Sequence, residues 1–189
     1  MPRQPDRDLE SRILNAAYKL WKEQGEHGLT MRAVAKLART TTPTLYERFK
    51  DKDELMSALR SRAQQMLFDA VEPAQSIAEA CRLALEFTSN HLHEYELVGK
   101  DWAARLSQRD PTPTFDLIKE RLARQLGGVP DDHGQLALSI AMLYHGTSML
   151  MLSDKVDAKL ASILKESCIA ATDTLVHDAE RKSRRRAAD

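Results

Sequence analysis

Apolar residues recur at helical spacing along nearly the whole chain. From Arg7 to Gln24, Ile13, Ala17, Leu20 and Trp21 fall at i, i+4, i+7 and i+8, the stripe of an amphipathic helix, and Gly25 and Gly28 end it. Thr30 then stands where an N-cap belongs, predicting a second helix through Ala38. Arg39-Thr40 reads as a turn. Thr41 predicts the cap of a third helix running to about Phe49, with Pro43 in its first turn, where a missing N–H costs little. Leu45 and Phe49 would point back toward Val34 and the first helix. Asp51 predicts the cap of a fourth helix from Lys52 to about Val71.

Pro73 breaks the pattern, and Ser76-Ile77-Ala78-Glu79 is a capping box that opens a helix expected to reach about Tyr95. A shorter helix follows at about Lys100–Ser107, a loop at Asp110–Pro113, a helix at about Thr114–Leu126 and a second loop at Gly127–Asp132. Two long helices close the chain, at about His133–Leu152 and Ala158–Arg181. The pattern predicts an all-α protein of about nine helices. It divides into an N-terminal three-helix domain over residues 1–51 and a larger helical domain over 52–181, to which the effector-binding and dimerisation roles argued below would fall, with a basic, disordered tail over 182–189. There is no internal repeat.

Two short helices about a tight turn, the second opening in a cluster of hydroxyls, have the anatomy of a DNA-reading helix-turn-helix. Hydroxyl side chains and free backbone N–H groups at a helix start donate to phosphate. Thr30 and Arg32 offer this on the second helix, and Thr41, Thr42 and Thr44 on the third. Tyr46 and Arg48 lie further along; Arg48 has the reach for a guanine or a phosphate, and Lys52 for a phosphate. Thr30 and Thr41 also cap their helices, which does not exclude contact with DNA.

Charge adds a modest asymmetry. The chain is formally neutral, but residues 1–63 hold 13 Lys/Arg against 9 Asp/Glu, a net of +4 offset by −4 in the remainder. A basic head on an acidic body suits a head that meets phosphate. No apolar run approaches the roughly 18–20 residues of a membrane helix, and no apolar core follows the charged N-terminus, so neither a membrane partner nor a signal peptide is expected. Cys81 and Cys168 show no metal-ligand spacing and no disulfide framework, and read as isolated thiols in a reducing cytoplasm. His91 and His93, at i and i+2 on an expected helix, would face different sides. There is no Gly-rich phosphate loop and no nucleophile elbow. No metal, cofactor or catalytic residue is expected.

Residues Arg12 to Leu55 resemble the DNA-binding domain of the TetR family of bacterial regulators. The resemblance rests on Ile13-Leu14-x-Ala16-Ala17, Gly25, Leu29-Thr30-Met31-Arg32-x-Val34-Ala35, Thr41-x-x-Thr44-Leu45-Tyr46-x-x-Phe49 and Lys52-x-x-Leu55. It implies that Met31 and Arg32 approach the DNA backbone and that Thr40, Thr41, Thr42, Pro43, Tyr46 and Arg48 face the major groove, with Lys52 on a phosphate. The family usually has Gly at Arg39, a small apolar residue at Thr40, Gly or Ala at Pro43 and often His at Arg48. Arg39 would adopt the strained turn at some cost or itself reach phosphate. These departures bear on the operator sequence.

The family also builds a four-helix dimer interface from its last two helices. Leu160, Ile163, Leu164, Ser167, Cys168, Ala171 and Leu175 form a stripe with small members in the last helix, and Leu136, Ile140, Leu143, Thr147 and Leu150 an apolar face in the one before. The latter is apolar nearly all round, so it needs two partners: the mate subunit, and its own core or a ligand cavity. The interface expected is Leu136, Ile140, Leu143, Leu160, Leu164, Cys168, Ala171 and Leu175. Tyr144-His145-Gly146 partly matches a Trp-His-Gly signature of one family branch, and Gly146 within a helix implies close packing. A pocket for a neutral or lipophilic effector is expected at Phe87, His91, Trp102, Phe115, Met142, His145 and Met149, against the alternative that each is ordinary core.

The reading is a cytoplasmic, homodimeric regulator on a palindromic double-stranded operator, a repressor released by a small molecule. The alternatives are an activator or ligand-independent regulator, and a small helical enzyme or binding module with a vestigial helix-turn-helix.

Overall fold

The computed structural model describes residues 7–99, 102, 105 and 112–186, and among these every regular element is helical. The chain forms two compact units that divide after Arg62. The division falls inside a helix rather than at its start, as a boundary at 51/52 would have it. Leu55, Met56 and Leu59 on the opening turns of that helix are buried, and Arg62 donates to Asn15 Oδ1 at 2.6 Å.

In the first unit, α1 (Arg7–Gly28) packs on α2 (Met31–Leu37), and α2 on α3 (Thr42–Tyr46). Helical geometry in α1 fails at Gly25, whose φ of 64° only glycine adopts without strain. Ile13, Ala17, Leu29, Val34 and Leu45 are fully enclosed. Each cap the sequence announced is present: Ala33 N donates to Thr30 Oγ1 at 3.2 Å, Thr44 N to Thr41 Oγ1 at 3.2 Å, and Glu54 N to Asp51 Oδ1 at 2.9 Å, opening α4 (Lys52–Val71).

The second unit contains the rest of α4, α5 (Ile77–Asn90), α6 (Leu92–Gly99), α7 (Pro113–Leu126), α8 (Gly134–Met151) and α9 (Ala158–Arg186). A short 3₁₀ turn, Pro130–His133, joins α7 to α8. Helices α5, α7, α8 and α9 pack on one another. One cluster holds Ile77, Leu122, Ala137, Ile140 and Val176. Another holds Cys81, Leu85 and Cys168, flanked by Leu143, Tyr144, Met151 and Ile169.

Several boundaries depart from expectation. The helix opened by Ser76 stops at Asn90, because His91 leaves helical space (φ −135°, ψ 51°), and Tyr95 belongs to the separate α6. Thr112, not Thr114, opens α7, its hydroxyl accepting from Phe115 N at 3.2 Å. The expected helix at 100–107 lies outside the described residues apart from Trp102 and Arg105, which are helical. The basic tail is not disordered from 182: α9 continues to Arg186, with Arg181 and Lys182 paired to Asp178 at 3.0 and 2.7 Å, a helical spacing of three and four. The close packing expected at Gly146 does not come from the described residues of this chain, since a Cβ there would meet nothing within 4 Å.

The turn between α2 and α3 carries the one positive-φ residue that is not glycine among the described residues, Arg39 at 54°. Thr40 N donates to Ala35 O at 3.0 Å and Arg39 N to Lys36 O at 3.3 Å. Those two bonds form the Schellman closure, which places a left-handed residue just past the helix end. A side chain in that conformation costs roughly 1–2 kcal/mol. Arg39→Gly is therefore expected to raise the unfolding free energy by about 0.5–1 kcal/mol, after allowance for glycine's looser unfolded chain, and Arg39→Val to lower it by at least as much. Urea denaturation of both variants reads this, and an unchanged midpoint for the glycine variant would remove the strain.

Candidate nucleic-acid interface and internal cavity

Leu45 fixes the roll of α3. It is fully buried and Phe49 nearly so, which turns the other residues of the segment outward: Thr41, Pro43 and Tyr46 are exposed, and Thr40, Thr42, Thr44 and Arg48 half-buried. Tyr46 shows half of its surface to solvent, 50%. Thr30, Arg32 and Arg39 are exposed beside them on α2 and the turn. Eleven of the sequence-expected DNA-facing residues thus keep accessible side chains. Met31 does not. Its side chain is buried, because the first position of α2 faces the core, and only its backbone remains available.

Some of the polar groups are already engaged. The Thr41 and Thr44 hydroxyls hydrogen-bond at 2.8 Å. Lys52 Nζ donates to the Glu26 carbonyl at 2.9 Å, tying α4 to the end of α1. An ammonium has three protons, so that bond positions Lys52 without exhausting it.

The second unit encloses a cavity with mostly apolar walls. It has a volume of about 80 Å³ and is lined by Leu67, Val71, Cys81, Tyr95, Val98, Trp102, Phe115, Ile140, Tyr144 and His145, among others. Of the residues expected at a pocket, Trp102, Phe115 and His145 reach it. Phe87 is buried elsewhere and stacks on His91 with centroids 4.8 Å apart. His91 caps α5 and pairs with Glu94 at 3.6 Å, away from the cavity. Met149 lines an adjoining surface pocket. Met142 opens onto an apolar surface groove between α8 and α9 together with Leu143, Ala171 and Leu175.

The expected interface residues divide in the same way. Leu160 is exposed, and Leu136, Leu143, Leu164, Ala171 and Leu175 keep part of their surface, Leu143 while packing on the Cys81–Leu85–Cys168 cluster. Ile140 and Cys168 are buried within this chain, and Leu136 packs against its core. Helical stripes mark apolar faces, and they do not distinguish a face used inside the subunit from one left outside.

Sequence reasoning placed His145 at the pocket but missed its partner Tyr95 and the neighbouring cluster of Thr88, Tyr144 and Ser148. Tyr95 Oη and His145 Nδ1 lie 2.7 Å apart, and the His145 ring stacks on Trp102 with centroids 4.9 Å apart. Thr88 Oγ1 donates to the Ala84 carbonyl at 3.1 Å and lies 3.0 Å from Tyr144 Oη and 3.2 Å from Ser148 Oγ. Burial pushes the phenols of Tyr95 and Tyr144 up and the His145 imidazole down, so all three stay neutral. The thiols are not isolated either: Cys81 Sγ and Cys168 Sγ are 3.7 Å apart. The hydrogen bond between them holds the Cys168 thiol down and the Cys81 thiol up.

Residues 13–59 match the family model described as bacterial regulatory proteins, tetR family. The chain is similar to the uncharacterized HTH-type transcriptional regulator YhgD of Bacillus subtilis (strain 168), 34% identical over 92 residues, which are 44% of this chain and 48% of that protein. It is also similar to the HTH-type transcriptional repressor KstR2 of Mycolicibacterium smegmatis, 26% identical over 121 residues, covering 60% of this chain and 57% of that protein. The chain thus spans about half the length of the curated relatives it matches. Among solved structures, a TetR-like transcriptional regulator from Rhodococcus sp. RHA1 shares the fold at a TM-score of 0.60 and 22% identity, over 88% of this chain and 96% of that one. A TetR-family regulator from Haemophilus influenzae RD does so at 0.59 and 21%, over 89% and 98%.

The depressed basicity of His145 has a sign in solution. The unfolded imidazole takes up its proton near the ordinary value of 6.5, and the folded one only at lower pH. This contribution to stability is full above about pH 6.5. It falls as acid protonates the unfolded chain first, and levels off below the folded value. Urea titrations at pH 8 and pH 5.5 should show a smaller loss for His145→Gln than for the parent chain; equal losses would place the titration elsewhere.

Proposed function

We propose, for a chain that belongs to the TetR family of bacterial regulatory proteins, that it regulates transcription by binding operator DNA through α3. The observation that carries this is the face of α3: Leu45 is fully enclosed beneath it while Thr41, Pro43 and Tyr46 stand in solvent and Arg48 stays accessible. A helix so anchored presents side chains to base edges in the major groove, and the flanking Thr30, Arg32, Arg39 and Lys52 supply the charge and hydrogen bonds that hold phosphates.

The finer reading is a homodimeric repressor in the cytoplasm on a palindromic site. A palindrome needs two copies of α3, with half-sites one helical turn of DNA, about 34–36 Å, or a multiple apart. The surface that suits self-association is the α8–α9 face, where Met142, Met149, Leu150, Leu160 and Ile163 are exposed. KstR2 is a repressor by name, which favours repression here. The effector is a small, mostly apolar molecule seated against Tyr95, Trp102 and His145. Because the cavity of about 80 Å³ is below the roughly 300–1,000 Å³ of drug-sized sites, a larger effector requires the walls to move. Its influence on DNA equals its difference in affinity for the two states of the protein.

Selection of bound sequences from random duplex DNA near physiological salt tests the reading, with enrichment of a palindrome as the expected result. Against the selected duplex, Tyr46→Ala and Arg48→Ala should each cost about 1–3 kcal/mol with relaxed sequence preference, and Arg32→Ala should lower the salt slope by about one. No enrichment from a folded, dimeric protein, with and without candidate apolar ligands, would overturn sequence-specific binding.

A further inference from the structure

The chain has two cysteines, 87 positions apart, and the fold brings them together. Cys81 on α5 and Cys168 on α9 are 5% and 3% exposed, with the sulfurs 3.7 Å apart and the Thr172 hydroxyl 3.6 Å from Cys81 Sγ. A disulfide needs about 2.05 Å, so the sulfurs must close by roughly 1.7 Å, a rotamer adjustment or a small slide of one helix on the other. The pair is buried but not sealed. Cys81 belongs to the wall of the cavity. Gly99 and His145 line both that cavity and the surface pocket of Leu92, His93, Glu96, Met149 and Leu152, so the cavity adjoins a pocket open to solvent.

We propose that Cys81 and Cys168 are a redox-active pair, oxidised to an intrachain disulfide by a small hydroperoxide with an apolar substituent that enters through the cavity. The walls select the oxidant. Apolar residues and two neutral phenols admit an uncharged alkyl hydroperoxide, whereas a bulky charged disulfide has neither room nor solvation there. The chemistry balances. One thiol of the pair, as its thiolate, attacks the distal peroxide oxygen and the O–O bond breaks. The alkoxide leaves as the alcohol with the proton that thiol released, and a sulfenic acid remains. The second sulfur attacks the sulfenic sulfur, the S–O bond breaks, and hydroxide departs with the second thiol's proton as water. Two thiols lose two electrons and the peroxide gains them. The neighbouring S–H, the Thr172 hydroxyl and, at Cys168, the Thr147 hydroxyl are hydrogen-bond donors to the pair among the described residues. The product staples α5 to α9 and redraws the cavity wall at Cys81.

The test counts thiols in the full chain. Protein is treated with tert-butyl hydroperoxide, then denatured and alkylated with N-ethylmaleimide. The expected result is a fall from two adducts per chain to none, with Cys81 and Cys168 recovered in one cross-linked peptide pair from a monomer on non-reducing gels. Oxidised glutathione at the same concentration should leave both adducts. Retention of both adducts after hydroperoxide, or loss of them into disulfides between chains, would overturn the proposal. Cys168→Ala, checked for folding by circular dichroism, is the control: hydroperoxide should give it no cross-linked peptide pair, and loss of its remaining adduct into a disulfide between chains would overturn the intrachain pairing. Because the parent chain alone decides the thiol count, a variant that fails to fold changes nothing. The count is also independent of whether the protein binds DNA.

Discussion

A helix of five residues has too few backbone bonds to hold itself together, since the first turn costs more order than its single hydrogen bond returns. Everything proposed for α3 therefore depends on what fastens it from outside. Below, Leu45 is fully enclosed and Phe49 nearly so. At its start, Thr41 accepts from Thr44 N; at its end, the Glu47 amide closes on Pro43 and the Phe49 amide on Leu45. The entry is set by the Schellman closure at Arg39. The outward roll of Tyr46 and Arg48 follows from these fastenings, not from any preference of those two side chains.

The second unit faces the opposite problem, too much polarity rather than too little order. Two tyrosines, a threonine, a serine and a histidine sit among aliphatic side chains, where an unpaired hydroxyl costs several times what a paired one returns. The structure resolves this by pairing them with one another: Thr88 with Tyr144, Ser148 and the Ala84 carbonyl, and Tyr95 with His145. Such a network tolerates little rearrangement, because moving one member strands another. The ligand proposed for this cavity would have to replace one of these bonds if it offered a polar atom to Tyr95 or His145, and would use the remaining wall if it offered only hydrocarbon.

What could be read from the sequence was local. Thr30, Thr41, Asp51 and Ser76 announce helix starts by chemistry that acts within three residues, and all four are caps in the structure. The helix-turn-helix was legible for the same reason, since its spacing is contained in one short stretch. Long-range partnership was not. Nothing near Cys81 names Cys168, and nothing near Tyr95 names His145. A stripe such as Ile140, Leu143 and Leu136 looks the same whether it meets its own core or a second copy. The burial of the Met31 side chain was hidden for a smaller reason: the first position of a helix shares the face of residues three and four further on, and Val34 and Ala35 are buried. The break at His91 went unseen because no Gly or Pro marks it.

Pro43 bears on the entropy of association. The ring fixes φ at about −65° and removes rotational freedom from the free chain, and the hydroxyl pair of Thr41 and Thr44 at 2.8 Å restrains the residues on either side. The start of α3 therefore has little disorder left to lose when a surface closes on it. Rigid contact segments of this kind favour a fixed shape over an adaptable one: they discriminate sharply among partners that nearly fit, and they adjust poorly to a partner whose groove is wider or narrower than the one they were shaped for.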